Sequence, residues 1–118
     1  MILNKEAETL WRETFGNNST GRDFAGLDIH KGAYGDSNSK YGWNIDHINP
    51  MGSDSIRNKQ CCSIAVNGIK EDKQSFSIKY IDGTIVNYQV KKVNNLNKDD
   101  QVAKYNYRDK DYVIVILD

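Results

Sequence analysis

Proline is almost absent, with Pro50 the single example in 118 residues, and cysteine occurs only as the adjacent pair Cys61-Cys62. Neighbouring cysteines have poor geometry for a structural disulfide, and without a C-x-x-C spacing they supply no zinc knuckle. Two reduced thiols packed in the interior are the expected state. No apolar run approaches the roughly 20 residues of a membrane span, and no basic-then-apolar leader opens the chain. A soluble, cytoplasmic protein with no membrane partner is expected. Net charge is missing as well, because 16 basic residues face 16 acidic ones. A general attraction to nucleic acid is therefore absent, and any phosphate contact must be local. Repeats and low-complexity linkers are also lacking, and the length suits one domain with a modest core.

Three stretches make up that domain. Residues 1–20 hold an amphipathic helix: Ala7, Leu10, Trp11 and Phe15 recur at three and four, Asn4 stands where a cap is needed, and Gly16 can end the run. Packing against the core accounts for Trp11 without a functional role. Residues 21–73 begin with polar, Gly-rich sequence carrying short β-prone pieces around Phe24 and from Leu27 to Ile29, read as a hairpin followed by a loop. Residues 74–118 alternate instead. Phe76, Ile78 and Tyr80 share one face, Asp82-Gly83 is a tight turn, and Ile85 to Val90 is the return strand. Asn94 to Gln101 reads as a loop or helical turn, and Ala103–Tyr107 and Tyr112–Leu117 flank a turn at Arg108–Asp111. The run Val113 to Leu117 is apolar on both faces, so it is either a strand covered on both sides or an edge buried by a partner, which would make a homodimer.

The chemistry gathers in the middle. A strand from Trp43 to His47 carries Asp46 beside His47; a loop through Met51-Gly52-Ser53-Asp54 leads to Asn58, a short strand near Gln60, and a helix over about Ser63 to Asp72 bearing Asn67 and Lys70. Hydrolysis of a phosphodiester at neutral pH needs a base to take a proton from water, and histidine has the nearest unperturbed pKa. His47 fits that role. Charge building on the phosphate needs a positive centre, and a hard cation such as Mg²⁺, held by one carboxylate and one amide oxygen, keeps positions open for water and substrate. Asp46 and Asn67 fit as its ligands. Adjacent side chains on a regular strand point to opposite faces, so the strand must end or twist at this point, in keeping with Pro50. Lys70, one turn after Asn67, shares its helix face and is a candidate for a phosphate oxygen. Arg57, Lys59 and Lys73 add local positive charge for nucleic-acid contacts.

The pattern Trp43-x-Ile45-Asp46-His47-Ile48-x-Pro50, then Asn58-x-Gln60, then Asn67-x-x-Lys70 resembles the HNH (ββα-metal) endonuclease family, in the variant whose last motif residue is Asn. Phe24-Ala25-Gly26 and Tyr34-Gly35 stand in the order found in relatives ahead of the motif. The resemblance implies a ββα-metal core over residues 21–73; with the N-terminal helix and C-terminal antiparallel hairpins read from their own patterning, an α+β fold is expected. The resemblance also implies DNA cleavage with one divalent ion, Asp46 and Asn67 on the metal and His47 as general base. Asn58 would brace the loop and orient the histidine. In-line attack would leave a 5′-phosphate.

Blander readings stand beside these. A lone histidine is more often structural, Asn58 more often a turn residue or cap, and Lys70 a solvated lysine. The motif order favours the site. His30 lacks comparable partners and reads as surface. Tyr105, Tyr107 and Tyr112 suit base stacking, though tyrosines in strands are more often packing residues. Two other functions share the pattern: an inactive module of the same fold that holds DNA or protein, and an RNA-cleaving or toxin-type nuclease.

Overall fold

The structure is a computed structural model that describes residues 3–104 and 107–117. It is an α+β fold in which a short β-hairpin with a helix behind it is held between an N-terminal helix and a four-stranded antiparallel sheet.

Helix α1 (Lys5–Phe15) starts and stops where local chemistry requires. The Asn4 side chain accepts from the Ala7 amide at 2.8 Å, and Gly16, at φ 62°, donates its amide to the Arg12 carbonyl. Ala7, Leu10 and Trp11 are buried, and Trp11 lies 5.1 Å from Trp43, centroid to centroid. Strands β1 (Thr20–Arg22) and β2 (Asp28–His30) then form an antiparallel hairpin. Phe24, expected near a strand, sits in the connecting turn and is buried among Phe76 and Tyr88. The turn is set by Asp23, whose Oδ1 accepts from the amides of Ala25 and Leu27, both at 3.0 Å.

Strands β3 (Trp43–His47) and β4 (Lys59–Ser63) pair antiparallel, with Trp43 opposite Ser63 and His47 opposite Lys59. Helix α2 (Ile64–Lys70) follows at once, capped by the Ser63 hydroxyl, which accepts from the Val66 amide. It is shorter than the expected span from Ser63 to Asp72, because Glu71 turns to φ 49° and ends it. The period of two decides what this hairpin touches. Trp43, Ile45 and Cys61 pack into the cluster under α1, whereas Cys62 joins Ile48 and Val66 in the cluster under the C-terminal sheet.

Gly68, inside α2, has open space where a Cβ would be, so nothing in the packing requires glycine there. Gly68→Ala is expected to stabilise the chain by about 0.5–1 kcal/mol through helix propensity and a less flexible unfolded state, raising the thermal midpoint by roughly 2–6 °C in a circular dichroism melt.

The sheet runs β5-β6-β8-β7, from β5 (Ser75–Lys79), β6 (Ile85–Lys92), β7 (Gln101–Val102) and β8 (Tyr112–Leu117). The β5–β6 turn falls on Asp82-Gly83 as expected, with Gly83 at φ 89° and Asp82 accepting from the Thr84 amide. A 3₁₀ turn at Val93–Asn95 interrupts the polar connection after β6. The doubly apolar strand is explained within the chain: β8 lies between β6 and β7, and Val113, Ile114 and Val115 are all buried. The reason for expecting a dimer edge there is gone. Strand β7 lies just ahead of the expected Ala103–Tyr107, whose described residues form no strand, and Tyr105 lies outside the described residues. Tyr107 and Tyr112 pack against the core, the blander of their two readings. Among the described residues no helix is long and apolar enough to cross a membrane.

Candidate functional site

Strict alternation along β3 sends Asp46 and His47 to opposite faces, and the strand ends at His47, two residues before the loop turns at Asn49-Pro50. Asp46 points toward α2 and is 5% exposed. Its Oδ2 accepts from Gln60 Nε2 at 2.9 Å, and the Lys70 ammonium lies across both oxygens at 3.3 and 3.2 Å. Lys70 is wholly buried and also donates to the His47 carbonyl at 2.8 Å. Burial pushes the Asp46 carboxyl above its ordinary value, against the pull of Lys70 and Gln60. This corrects one expectation: Lys70 faces the interior and closes the strand end onto the helix, so no phosphate can reach it here.

His47 faces the other way, toward α1, and is about half exposed. Its Nε2 lies 2.7 Å from Asp54 Oδ1, and Asp54 in turn lies 3.2 Å from the ammonium of Lys59. Lys59, almost fully buried, is bonded to Glu6 of α1 at 2.5 Å. The Asp54 carboxyl is held below the usual carboxylate value, first by its bond to His47 and then by Lys59, and the Glu6 carboxylate raises the Lys59 ammonium. Lys59 is thus neutralised inside the protein rather than free for nucleic acid. The other two expected contacts are also engaged, since Arg57 bonds Asp111 at 2.8 Å and Lys73 pairs with Glu71 at 3.3 Å. Both remain half exposed, so a phosphate would compete with one exposed carboxylate in each case.

Asn58 is fully buried and spends its whole amide on the loop. Nδ2 donates to the carbonyls of Asn49 and Ser53 at 2.9 and 2.8 Å, and Oδ1 accepts from the Asn49 amide at 2.9 Å. Glycine is needed at 52, where a Cβ would come within 2.7 Å of Asn58 Nδ2. Asn58 therefore braces the loop that carries Asp54, and its backbone carbonyl accepts from the amide of Ile48, the residue after His47, at 2.8 Å. A second buried anchor escaped the sequence reading: Asp23 Oδ2 accepts from the Ser63 amide at 3.0 Å, tying the β1–β2 turn to the start of α2. Burial raises its carboxyl too.

Asn67 is partly exposed and lines two adjoining clefts of about 440 and 320 Å³, in company with Ile45, His47 and Asp54 in both. Asp46 forms part of the wall of the smaller one. Asp46, His47 and Asn67 thus meet around one opening despite leaving the backbone in different directions. Among the described residues no three His, Cys, Asp or Glu side chains group as metal ligands. The oxygen donors at this opening are the Asp46 carboxylate and the Asn67 amide. A carboxylate offers about four lone-pair positions, of which Gln60 and Lys70 take some, so a hard divalent ion there would have to keep most of its water. Lys70 is its charge competitor.

Asp54 and Glu6 were not foreseen, and Gln60 stood in the motif without an assigned role. Asp54 sits in a loop without periodicity, and Glu6 reads as an ordinary helix-surface charge. Comparison with family models, with curated proteins and with solved structures finds no match for this chain.

Proposed function

We propose that this chain is an endonuclease of the HNH (ββα-metal) type that hydrolyses phosphodiester bonds in DNA with one divalent ion, Mg²⁺ by preference. The observation that carries the reading is the convergence of Asp46, His47 and Asn67 on one cleft from a hairpin and the helix that directly follows it. The loop between the two strands is held from inside by Asn58, as such a site needs. A bound ion would supply positive charge against the scissile phosphate and the leaving 3′-oxygen. The chain's own part is distinct. Asp46 and Asn67 would hold the ion, while Gln60 and Lys70 hydrogen-bond the Asp46 carboxylate and orient it. His47, half exposed at the cleft, takes the proton from the attacking water.

Nucleic acid must enter past carboxylates, because Glu6, Asp54, Glu71 and Asp72 all border the clefts. Substrate binding should accordingly lean on the divalent ion and depend only shallowly on monovalent salt, since few free cations are left to displace counterions from the phosphates. The deciding experiment incubates purified chain with supercoiled plasmid, single-stranded DNA and RNA in Mg²⁺, Mn²⁺ or EDTA. Nicking in either metal that EDTA abolishes is expected. A folded chain that cleaves none of the three substrates in either metal would overturn the proposal, and cleavage of RNA alone would move the substrate class.

A further inference from the structure

We propose that Asp54 is the positioning residue of His47: its carboxylate fixes the imidazole in the tautomer that carries hydrogen on Nε2, leaving the Nδ1 lone pair as the base. The inference rests on the nuclease reading for its purpose, but its structural content stands alone.

Neutral imidazole has one N–H and one lone pair, and which nitrogen keeps the hydrogen is decided by what the other atoms offer. An ionised carboxylate only accepts. With Asp54 Oδ1 2.7 Å from His47 Nε2, the hydrogen belongs on Nε2. The carboxylate is then held in its turn. Lys59 sits 3.2 Å from the same oxygen, is almost fully buried, and is anchored by Glu6 on α1. Three alternating charges, Glu6, Lys59 and Asp54, therefore run from the N-terminal helix to the candidate base. Asn58 sets the position of Asp54 along the loop through its bond to the Ser53 carbonyl. An isolated surface pair would need none of this support.

The contrast with a merely structural ion pair is testable because Asp54 is 85% exposed on its side chain. Exposed pairs contribute little to stability, so Asp54→Ala should fold and melt like the parent. The experiment uses the full chain labelled with ¹⁵N and reads the imidazole nitrogens by long-range ¹H–¹⁵N correlation at a pH where His47 is neutral, with His30 as the internal reference. In the parent, His47 is expected to show a pyridine-like Nδ1 and a pyrrole-like Nε2. In Asp54→Ala the two signals should move toward the averaged values of a free tautomer mixture, and Asp54→Asn, which keeps an acceptor oxygen, should restore most of the parent pattern. In the plasmid assay Asp54→Ala should lower kcat about 10- to 100-fold and leave KM nearly unchanged. A parent His47 with hydrogen on Nδ1, or an unchanged tautomer in Asp54→Ala, overturns the inference at any cleavage rate. If the parent cleaves nothing, the nuclease reading falls by itself, and the nitrogen shifts still decide the role of Asp54.

Discussion

Lys70→Met is expected to lower the free energy of unfolding by about 3–5 kcal/mol, enough to leave a marginal domain partly unfolded. The pair it breaks is buried on both sides, with Lys70 at 0% and Asp46 at 5% exposure, and the same ammonium also satisfies the His47 carbonyl. Methionine fills the volume but leaves Asp46 with Gln60 alone. Urea denaturation followed by circular dichroism at neutral pH measures the loss. The sign of its pH dependence follows from the carboxyl. Burial already raises Asp46 above 3.8, and removing the lysine raises it further. A raised carboxyl contributes stability that is fully present below its unfolded value and lost as pH rises through its folded value. The deficit of Lys70→Met should therefore be largest at neutral pH and shrink as the pH falls toward 3.8. The double variant Asp46→Asn with Lys70→Met should recover much of the loss, since no charge is then left unpaired. A single variant as stable as the parent would show that the pair does not hold the strand end to the helix.

His47→Ala is expected to slow metal-dependent plasmid nicking by about 10²–10⁴-fold, the usual contribution of a positioned general base. Folding should be nearly untouched, because the ring is half exposed and its one side-chain partner, Asp54, is solvated. Initial rates at saturating Mg²⁺, with a melting curve on the same preparation, separate the two effects. Nicking at the parental rate would remove His47 from the mechanism. Asp46→Ala is a poor companion for this test: it would strand the buried Lys70 charge and lose activity by unfolding. Asn67→Ala, on a partly exposed position at the mouth of both clefts, probes the metal site without that confusion.

What could be read from the sequence was local. The α1 cap at Asn4, the strand ending at His47, the turn at Asp82-Gly83 and the alternation of β5 depend on residues within a few positions of one another, where periodicity and turn chemistry act. The fate of Lys59 and Lys70 was not local. Lys59 finds Glu6 across 53 positions and Lys70 finds Asp46 across 24, so both looked free when each had a carboxylate waiting in the folded chain. Asp23 was invisible for the same reason, its distant partner lying 40 positions away. The strand Val113 to Leu117 carried an honest ambiguity, since apolar faces on both sides show burial without saying what covers them. Its neighbours β6 and β7 resolve it.

The adjacent cysteines lie on opposite faces of the β3–β4 hairpin, each in a different buried cluster. Cys61 is sealed by α1 and Cys62 by the C-terminal sheet, and burial lifts the first thiol to about 12 and the second well above its ordinary value. Neither sulfur is nucleophilic while its own shelter is closed. An excursion that lifted only the N-terminal helix would expose the first sulfur, and one that parted the hairpin from the sheet would expose the second, so the labelling rates of two neighbouring thiols would report different openings of the same domain.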